Sequence, residues 1–346
     1  MSIGVIVIGR NEGERLERCL RSIVAQGIAR LIYVDSGSSD GSLSRARTFG
    51  ADVVELDMSI PFSAARARNV GFQRLQQSGQ EVEFVHFVDG DCEIQDGWFA
   101  TAAETLRIRP DISIVAGSIR ERSPELSIFN RLGEIEWNYA GAGEVDSVGG
   151  IFLIRRAVFQ GAGGFDPTIM AGEEPELCQR LTAMDRRFLR LDAPMAIHDL
   201  AMTTFTQWCR RQVRFGYGSM DVAMRFDLPK FKRNVTVSFV WAVWLFLVFI
   251  AASLVLFFPV LSVSTYLPVL IFCLWPAQLV RIAVRMKRRG QGGGIAIAYA
   301  FFLMISFLPQ TVGAFVYFGD RLRGRSFRLI EHKASAGEVS AKKFSP

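Results

Sequence analysis

The sequence is poor in the residues that build disulfide frameworks and zinc sites. Its five cysteines are odd in number, are scattered along 346 residues, and never form a Cys-x-x-Cys pair. The three histidines lie far apart and add no zinc-ligand spacing. This scarcity argues against a disulfide-stapled secreted domain and against a zinc module, and it favours a domain that faces a reducing cytosol.

Two N-terminal signals are also missing. Residues 3–8 form a short apolar run without a basic flank that continues directly into Arg10-Asn11-Glu12. We therefore predict a strand here and not a signal peptide. No G-x-G-x-x-G follows the run, which disfavours a dinucleotide-binding dehydrogenase.

Charge is absent from two long stretches near the C-terminus. Asp, Glu, Lys and Arg do not occur at residues 234–280 or at residues 290–319. A bilayer crossing takes about 20 apolar residues, so the first stretch has room for two crossings and the second for one. We predict a transmembrane region of two or three helices over residues 234–319, with crossings at residues 235–258, 262–280 and 293–318.

The positive charge of the chain is concentrated at this same end. Residues 281–346 contain 12 Lys or Arg and 3 Asp or Glu, whereas the whole chain carries a net charge of +6. The remainder is slightly acidic, so nothing points to nucleic acid as a partner. Basic residues beside apolar spans instead favour membrane lipids with anionic headgroups and an N-terminal domain on the cytoplasmic face of the inner membrane.

The third apolar stretch leaves two topologies open. If residues 293–318 span the bilayer, the basic residues 321–333 lie outside. If the chain turns back at Pro309, both basic stretches remain in the cytoplasm. We favour the spanning alternative, and we expect the basic tail at residues 320–346 to be partly disordered.

Residues 201–233 mix aromatic side chains with arginines, a combination typical of helices that lie at a membrane surface. Trp208, Arg210 and Arg211 belong to this segment, which we predict to be interfacial and amphipathic. It separates the apolar region from residues 1–200, where most of the remaining pattern is found.

Strand and helix patterns alternate four times within the first 90 residues. The predicted strands lie at residues 4–8, 31–34, 52–56 and 84–88, and the predicted helices at residues 14–25, 42–49 and 63–77. Such alternation predicts an α/β domain with a mixed, mostly parallel sheet.

Two carboxylates enclose one glycine directly after the strand predicted at residues 84–88. Asp89 and Asp91 thus follow the carboxyl end of a strand, where open α/β sheets bind ligands. Their mutual repulsion is relieved by a cation, and Mg²⁺ or Mn²⁺ suits oxygen ligands shared with phosphate. The alternative is a solvated Asp-Gly turn.

Other polar residues lie directly after predicted strands or at the starts of predicted helices. Asp35 opens the loop Asp-Ser-Gly-Ser-Ser-Asp-Gly-Ser, which can bind a base or cap the next helix. Arg68 lies near the start of a helix, suited to a diphosphate or to a surface ion pair. Glu173, Glu174 and Glu176 open another helix, where acids suit the dipole or one acts as a general base.

Six motifs, in this order, resemble the family 2 glycosyltransferases of the GT-A fold. They are Ile6-Val-Ile-Gly-Arg-Asn-Glu12, Val34-Asp-Ser-Gly-Ser-Ser-Asp-Gly41, Ala67-Arg-Asn-Val-Gly71, Asp89-Gly-Asp91, Gly163-Gly-Phe-Asp166 and Gly172-Glu-Glu-Pro-Glu-Leu177. The resemblance covers about residues 1–200. It implies a GT-A nucleotide-sugar-binding domain that transfers a sugar from a nucleotide-sugar donor, usually with inversion and a divalent metal.

The resemblance also implies roles for the donor-binding residues. Asp35 would contact the base, with Asn11 and Glu12 nearby, and Arg68 would help to hold the diphosphate. The first loop departs from the family pattern, because Gly9-Arg10-Asn11 stands where Pro-Thr-Tyr-Asn is usual.

The remaining implied roles concern metal and catalysis. Asp91, supported by Asp89, would bind the metal that bridges both phosphates. Glu174 falls where the family usually has the aspartate of a Glu-Asp pair. This chain has Glu-Glu followed by proline, so Glu173 and Glu176 remain alternative bases.

Two further positions carry a weaker resemblance. Gln207-Trp208-Cys209-Arg210-Arg211 is similar to the Gln-x-x-Arg-Trp motif of membrane-bound synthases, with arginine in place of the tryptophan. The alternative is an amphipathic interfacial helix, and the missing tryptophan argues against a processive synthase. His198 stands where some GT-A enzymes have a metal-ligating histidine, or it is structural.

Three functions follow as hypotheses. The first is a membrane-anchored, inverting, metal-dependent glycosyltransferase that modifies a lipid-linked or polysaccharide acceptor in envelope or exopolysaccharide synthesis. The second transfers the sugar directly to polyprenyl phosphate and makes a lipid-linked donor. The third is a degenerate nucleotide-sugar-binding membrane scaffold, which the intact acids at residues 89–91 and 173–176 disfavour.

Overall fold

The computed structural model describes residues 2–79, 81–226, 228–257 and 266–324, which form two compact units. The first unit comprises residues up to Gln207 and combines a sheet with helices. The second begins at Trp208 and is helical in its described part.

The first unit is built on one sheet. Its strands are β1 (Ile3–Gly9), β2 (Arg30–Asp35), β3 (Asp52–Glu55), β4 (Phe84–Asp89), β5 (Cys92–Ile94), β6 (Ile112–Glu121), β7 (Gly143–Val145), β8 (Phe152–Arg155) and β9 (Arg187–His198). Its helices are α1 (Glu14–Val24), α2 (Ser42–Thr48), α3 (Ala64–Gln77), α4 (Trp98–Ile108), α5 (Ile128–Trp137), α6 (Arg156–Gly161) and α7 (Glu173–Thr182).

The strand order is β3-β2-β1-β4-β8-β6-β9-β5, with β7 paired to β9. Strands β3, β2, β1 and β4 are mutually parallel and β6 is parallel to β9, whereas β8, β5 and β7 pair antiparallel with their neighbours. Parallel neighbours require crossover connections, which the alternating helices supply. The mixed α/β sheet predicted from the sequence is confirmed.

The central parallel strands β1, β2 and β4 are apolar, as strands covered on both faces are. Strands β1 and β4 are buried along almost their whole length. Helix α3 packs directly onto β1, and a Cβ on Gly4 would lie 2.6 Å from the Leu75 side chain. Glycine therefore allows the helix to approach the strand closely.

Two parts of the sheet differ from the sequence pattern. Residues 147–154 have the apolar pattern of a strand, but β8 begins only at Phe152, and residues 147–151 form a loop. Strand β9, 12 residues long, was not predicted because arginines and Asp192 interrupt its alternation. Most positions of β9 are exposed or half-buried, so no regular alternation of apolar and polar residues marks this strand in the sequence.

The second unit contains most of α8 (Phe205–Arg225), together with α9 (Pro229–Phe257), α10 (Tyr266–Arg288) and α11 (Gly293–Leu322). Helices α8 and α11 cross where Gly216 and Gly313 face the opposite backbone, and a Cβ on either glycine would overlap it. Ring contacts join Trp208 to Phe302 at a centroid distance of 5.3 Å. Small residues thus allow close helix packing in this unit.

A buried polar network lies at the same contact. Gln310 Nε2 of α11 donates a hydrogen bond to Gln212 Oε1 of α8 at 2.9 Å. Ser238 Oγ of α9 donates to Gln310 Oε1 at 2.8 Å. Because the amide is satisfied from two neighbouring helices, it fixes the register of all three.

Two helical segments, Phe231–Ile250 and Gly293–Leu322, are long and apolar enough to cross a bilayer. Helix α11 continues through Pro309 without reversing, as the spanning alternative requires. The link between the first two predicted crossings, the first part of the crossing at residues 262–280 and the tail at residues 325–346 lie outside the described residues. The predicted interfacial segment, residues 201–233, includes α8 and the start of α9.

Candidate active site

The candidate site lies at the carboxyl edge of the parallel strands. Gly9 of β1 pairs with Asp35 of β2, and Ile8 pairs with Asp89 of β4. Because parallel strands end on the same side of the sheet, the loops after β1, β2 and β4 come together. The sequence motifs at residues 9–12, 35–42 and 89–91 therefore share one edge.

Asp35 organises the loop that follows β2. Its carboxylate accepts hydrogen bonds from Tyr33 Oη at 2.9 Å and from the backbone N–H groups of Gly37 and Ser38 at 3.0 and 2.8 Å. Burial and the neighbouring carboxylate raise the pKa of Tyr33, which keeps its hydroxyl a donor. A contact between Asp35 and a base stays a prediction, and the observed bonds show how the loop is held.

Asn11 connects the first loop to the second. Its backbone N–H donates to Ser38 Oγ at 2.9 Å, and its side-chain oxygen accepts from the Ser39 N–H at 2.8 Å. Asn11 adopts a positive φ of 54°, which asparagine tolerates better than most residues. Glu12 beside it is buried and forms an ion pair with Arg15 at 2.9 Å.

Asp40 caps the helix that follows this loop, which is one of the two alternatives that the sequence leaves open for the loop. Its Oδ1 accepts hydrogen bonds from the N–H and hydroxyl groups of Ser42, the first residue of α2, at 3.1 and 2.6 Å. Its Oδ2 accepts from the Gly13 N–H, just before α1, at 2.8 Å. One carboxylate therefore holds the starts of two helices.

Arg68 is at the centre of a buried cluster of acids. Its Nη2 donates to Asp89 Oδ1 at 2.9 Å, and its Nη1 donates to Glu173 Oε1 at 2.8 Å and to Glu174 Oε1 at 3.0 Å. The Arg68 side chain is 2% exposed, whereas that of Asp89 is 37% exposed. The guanidinium thus joins the Asp-Gly-Asp loop to the start of α7, and Asp89 remains at the surface of the cluster.

Three carboxylates around one guanidinium leave an excess of negative charge. Burial and the adjacent Glu173 raise the pKa of Glu174 to about 7, although Arg68 acts in the opposite direction. A carboxyl group with a pKa near neutrality can accept and return a proton at physiological pH. The raised pKa of Glu174 is compatible with a general base, and that role stays a prediction.

Glu176 has a different environment. Its two carboxylate oxygens accept hydrogen bonds from Arg180 Nε and Nη2 at 2.5 and 2.9 Å, one helical turn away. Arg180 also donates to the carbonyl oxygens of Ala162 and Gly164. This pair attaches α7 to the Gly-Gly loop before it, so the observed contacts of Glu176 are structural.

Gly150 lies directly against the Arg68 cluster. A Cβ at this position would be 2.6 Å from Arg68 Nη2, 3.0 Å from Asp89 Oδ2 and 3.2 Å from Glu174 Oε1. None of the sequence motifs predicts Gly150 as part of the site. The pair Gly149-Gly150 in an otherwise apolar stretch was the available signal.

Asp91, Cys92 and His198 form a second cluster. Asp91 Oδ2 lies 3.3 Å from His198 Nε2, and Cys92 Sγ lies 3.4 Å from Asp91 Oδ1. The ligand atoms of the three residues all lie within 4.8 Å of one another. Burial lowers the pKa of His198, so the imidazole is available in its neutral, metal-binding form. A carboxylate oxygen and an imidazole nitrogen at this spacing fit a divalent cation.

His198 reaches this place through the sheet. Strand β5 pairs antiparallel with β9, and Cys92 lies directly opposite His198. The Trp137 ring packs against the imidazole at a centroid distance of 4.4 Å. The structure therefore brings His198 to Asp91 across 107 residues of sequence, whereas the thiol of Cys92 was not anticipated.

The residues predicted to contact the acceptor lie around the start of α8. Gln207 Oε1 accepts hydrogen bonds from the N–H groups of Thr203 and Thr204 at 2.9 and 3.0 Å, as a helix-capping side chain does. Trp208 is buried, Arg210 is exposed and Arg211 is half-buried. Acceptor roles for these residues remain predictions.

The chain is similar in sequence and in fold to known glycosyltransferases. The sequence model described as Glycosyl transferase family 2 matches residues 4–162. Glycosyltransferase AglE from Haloferax volcanii is 24% identical over 236 residues, which cover 64% of this chain and 74% of AglE. The pre-mycofactocin glycosyltransferase of Mycobacterium tuberculosis is 26% identical over 235 residues, which cover 64% of this chain and 48% of that relative.

A solved structure extends the similarity in fold. Mannosyltransferase PcManGT from Pyrobaculum calidifontis, in complex with GDP-Man and Mn²⁺, superposes with a TM-score of 0.57 at 15% sequence identity. The superposition covers 91% of this chain and 87% of that chain. At this identity the likeness concerns the fold alone.

The fold is that of the GT-A enzymes, and the sequence matches identify the chain as a glycosyltransferase. The match to the sequence model of glycosyl transferase family 2 extends from β1 to the end of α6, slightly less than half of the chain, and over this part the chain resembles that family. The resemblance seen in the sequence is thereby confirmed.

Proposed function

We propose that the enzyme transfers a sugar from a nucleotide-sugar donor to an acceptor hydroxyl with inversion, and that Glu174 is its base. The observation that carries this proposal is the contact of Arg68 with both Glu174 and Asp89, at 3.0 and 2.9 Å. Arg68 thereby links Glu174, which suits proton transfer, to the loop at residues 89–91, which suits binding of the donor. The glycosyltransferase relatives, and the GDP-Man and Mn²⁺ bound to PcManGT, support a nucleotide-sugar donor and a divalent metal.

The chain's own residues supply the proton transfer in this proposal. The Glu174 carboxylate takes the proton of the acceptor hydroxyl as the oxygen attacks the anomeric carbon. The bond from that carbon to the phosphate oxygen breaks, and the nucleoside diphosphate leaves with the electron pair. Arg68 holds Glu174 in place, so the base does not have to be ordered when the acceptor arrives.

Asp91 and His198 would hold the divalent metal, with Asp89 beside them. A metal bound there neutralises the charge that develops on the leaving diphosphate. Asn11, Glu12 and Asp35 would surround the nucleoside base of the donor through the loops that they organise. The capacity to hold a metal is supported by the spacing of the Asp91 and His198 ligand atoms.

A donor screen tests this function. Full-length protein is incubated with each common nucleotide sugar and Mn²⁺, with water as the acceptor hydroxyl, and nucleotide release is measured for the wild type, Asp91→Ala and Glu174→Gln. We expect release from one class of donor, with loss of at least about 100-fold in either variant. Release that survives both substitutions would contradict the proposed roles.

We further propose that the acceptor is lipid-linked and that the second unit is a membrane anchor. The support lies in the exposed apolar side chains of α9 and α11, including Phe246, Phe249, Phe315 and Leu322, which suit lipid contact. Exposed Arg210 and half-buried Arg214 suit anionic headgroups. An enzyme of this kind would serve envelope or exopolysaccharide synthesis from the cytoplasmic face of the inner membrane.

Two measurements test the membrane proposal. Transfer rates to a polyprenyl-linked acceptor and to its soluble sugar fragment are compared in the same detergent, and we expect a clear preference for the lipid-linked form. Equal rates would contradict it. Protease digestion of a tagged C-terminus in intact and opened cells tests whether α11 spans, because cleavage only in opened cells would contradict spanning with the catalytic unit inside.

A further inference from the structure

The structure places a thiol among the atoms that suit a metal. Cys92 and His198 are directly opposite residues of the antiparallel pair β5 and β9. Residues opposite one another in such a pair have their side chains on the same face of the sheet. Cys92 Sγ is 3.4 Å from one oxygen of Asp91, and His198 Nε2 is 3.3 Å from the other.

We propose that the sulfur of Cys92 is a direct ligand of the divalent metal, together with Asp91 and His198. This inference rests on the metal site of the proposed function and adds a residue that neither acid motif identifies. An oxygen, nitrogen and sulfur set selects Co²⁺ or Zn²⁺ over Mg²⁺, because a thiolate is a soft ligand. Mg²⁺ prefers octahedral oxygen ligands and retains its waters.

The engagement of Asp89 supports the choice of Cys92 as the third protein ligand. Asp89 Oδ1 accepts a hydrogen bond from Arg68 at 2.9 Å, so this oxygen is already engaged by the guanidinium and is less suited to bind a metal. The side chains of Asp91 and Cys92 are almost completely buried, so the thiol and the carboxylate are shielded from water together. Binding would replace the S–H bond by a metal–sulfur bond and release the proton to solvent.

Co²⁺ provides a probe that reports sulfur ligation without any turnover. Thiolate coordination to Co²⁺ gives a near-ultraviolet charge-transfer absorption that oxygen and nitrogen ligands lack. Full-length protein is titrated with Co²⁺ as wild type, as Cys92→Ser and as Cys19→Ser. Cys19 is a matched control, because it is also buried and its Sγ lies 3.9 Å from the Asp89 carbonyl oxygen.

We expect the absorption in the wild type and in Cys19→Ser, and its loss in Cys92→Ser. The affinity of Cys92→Ser for Co²⁺ should fall by about 10- to 100-fold, while its affinity for Mg²⁺ stays near the wild-type value. Absorption that persists in Cys92→Ser, or that disappears equally in Cys19→Ser, would overturn the inference.

X-ray absorption of the Co²⁺-loaded wild type removes any dependence on variant folding. A sulfur scatterer in the first coordination sphere is the expected result, and a sphere of oxygen and nitrogen alone would overturn the inference. In that case nucleotide release in the donor screen would leave the proposed function standing. Sulfur ligation without release from any donor would support the Cys92 assignment and contradict the proposed function.

Discussion

Arg68 Nη1 lies 3.0 Å from Glu174 Oε1, and the two residues are separated by 106 positions in the chain. The guanidinium is buried, and its other terminal nitrogen holds Asp89. An arginine predicted to hold a diphosphate therefore also positions the acid predicted to be the base. The positive charge of Arg68 lowers the pKa of Glu174, whereas burial and the charge of Glu173 raise it.

This relationship predicts the pH dependence of the reaction. The base must be deprotonated, so kcat/KM should rise as the pH increases through about 7, the value to which the pKa of Glu174 is raised. Arg68→Gln removes the positive charge that lowers this pKa, and it should move the rise to higher pH. Arg68→Lys keeps the charge and should move it less. A pH–rate profile that is identical in the wild type and Arg68→Gln would contradict this role.

Substitution of the acids at the start of α7 should distinguish their roles through kcat and its pH dependence. Glu174→Gln should lower kcat by about 100- to 10,000-fold, the usual contribution of a positioned general base. Glu173→Gln removes one hydrogen bond to Arg68 and a like charge, so we expect a smaller loss of kcat and an acidic limb at lower pH. Steady-state kinetics of both variants over pH check this. A larger loss in Glu173→Gln than in Glu174→Gln would reverse the assignment.

Glu176 should affect stability rather than chemistry. Glu176→Gln weakens a buried, bidentate pair with Arg180 that holds α7 to the loop at residues 162–164. We expect the free energy of unfolding of the first unit to fall by about 1–3 kcal/mol. Chemical denaturation measures this fall, and Glu83→Gln at the exposed pair with Arg107 is the control, for which we expect less than about 1 kcal/mol. Equal effects of the two substitutions would contradict the structural role.

Gly150 provides a steric test of the site. In Gly150→Ala the new methyl group meets Arg68, Asp89 and Glu174 at 2.6 to 3.2 Å and should displace them. We expect donor-dependent activity to fall by at least about 100-fold, as misplacement by about 1 Å can cause. Gly149→Ala is the matched control, because among the described residues no atom of the surroundings lies within 4 Å of its added Cβ. Similar activity in the two variants would show that Gly150 is not close to the reacting groups.

The apolar runs at residues 4–8, 31–34 and 84–88 predicted the parallel strands because burial on both faces leaves a continuous hydrophobic signal. Asp35, Asp89 and Asp91 could be placed at one sheet edge for the same reason, since each follows such a run. Strand β9 carries no comparable signal, and so the position of His198 beside Asp91 was left to resemblance.

The sequence by itself determined the α/β class, the parallel half of the sheet, the apolar C-terminal helices and the set of acids at the sheet edge. Only the tertiary structure decided that Arg68 holds Asp89, Glu173 and Glu174 together, that Glu176 pairs with Arg180, and that Cys92 faces His198. Local periodicity reports whether a residue is buried, because burial repeats with the strand or helix period. Contacts between residues about 100 positions apart depend on strand order and register, which local periodicity does not encode.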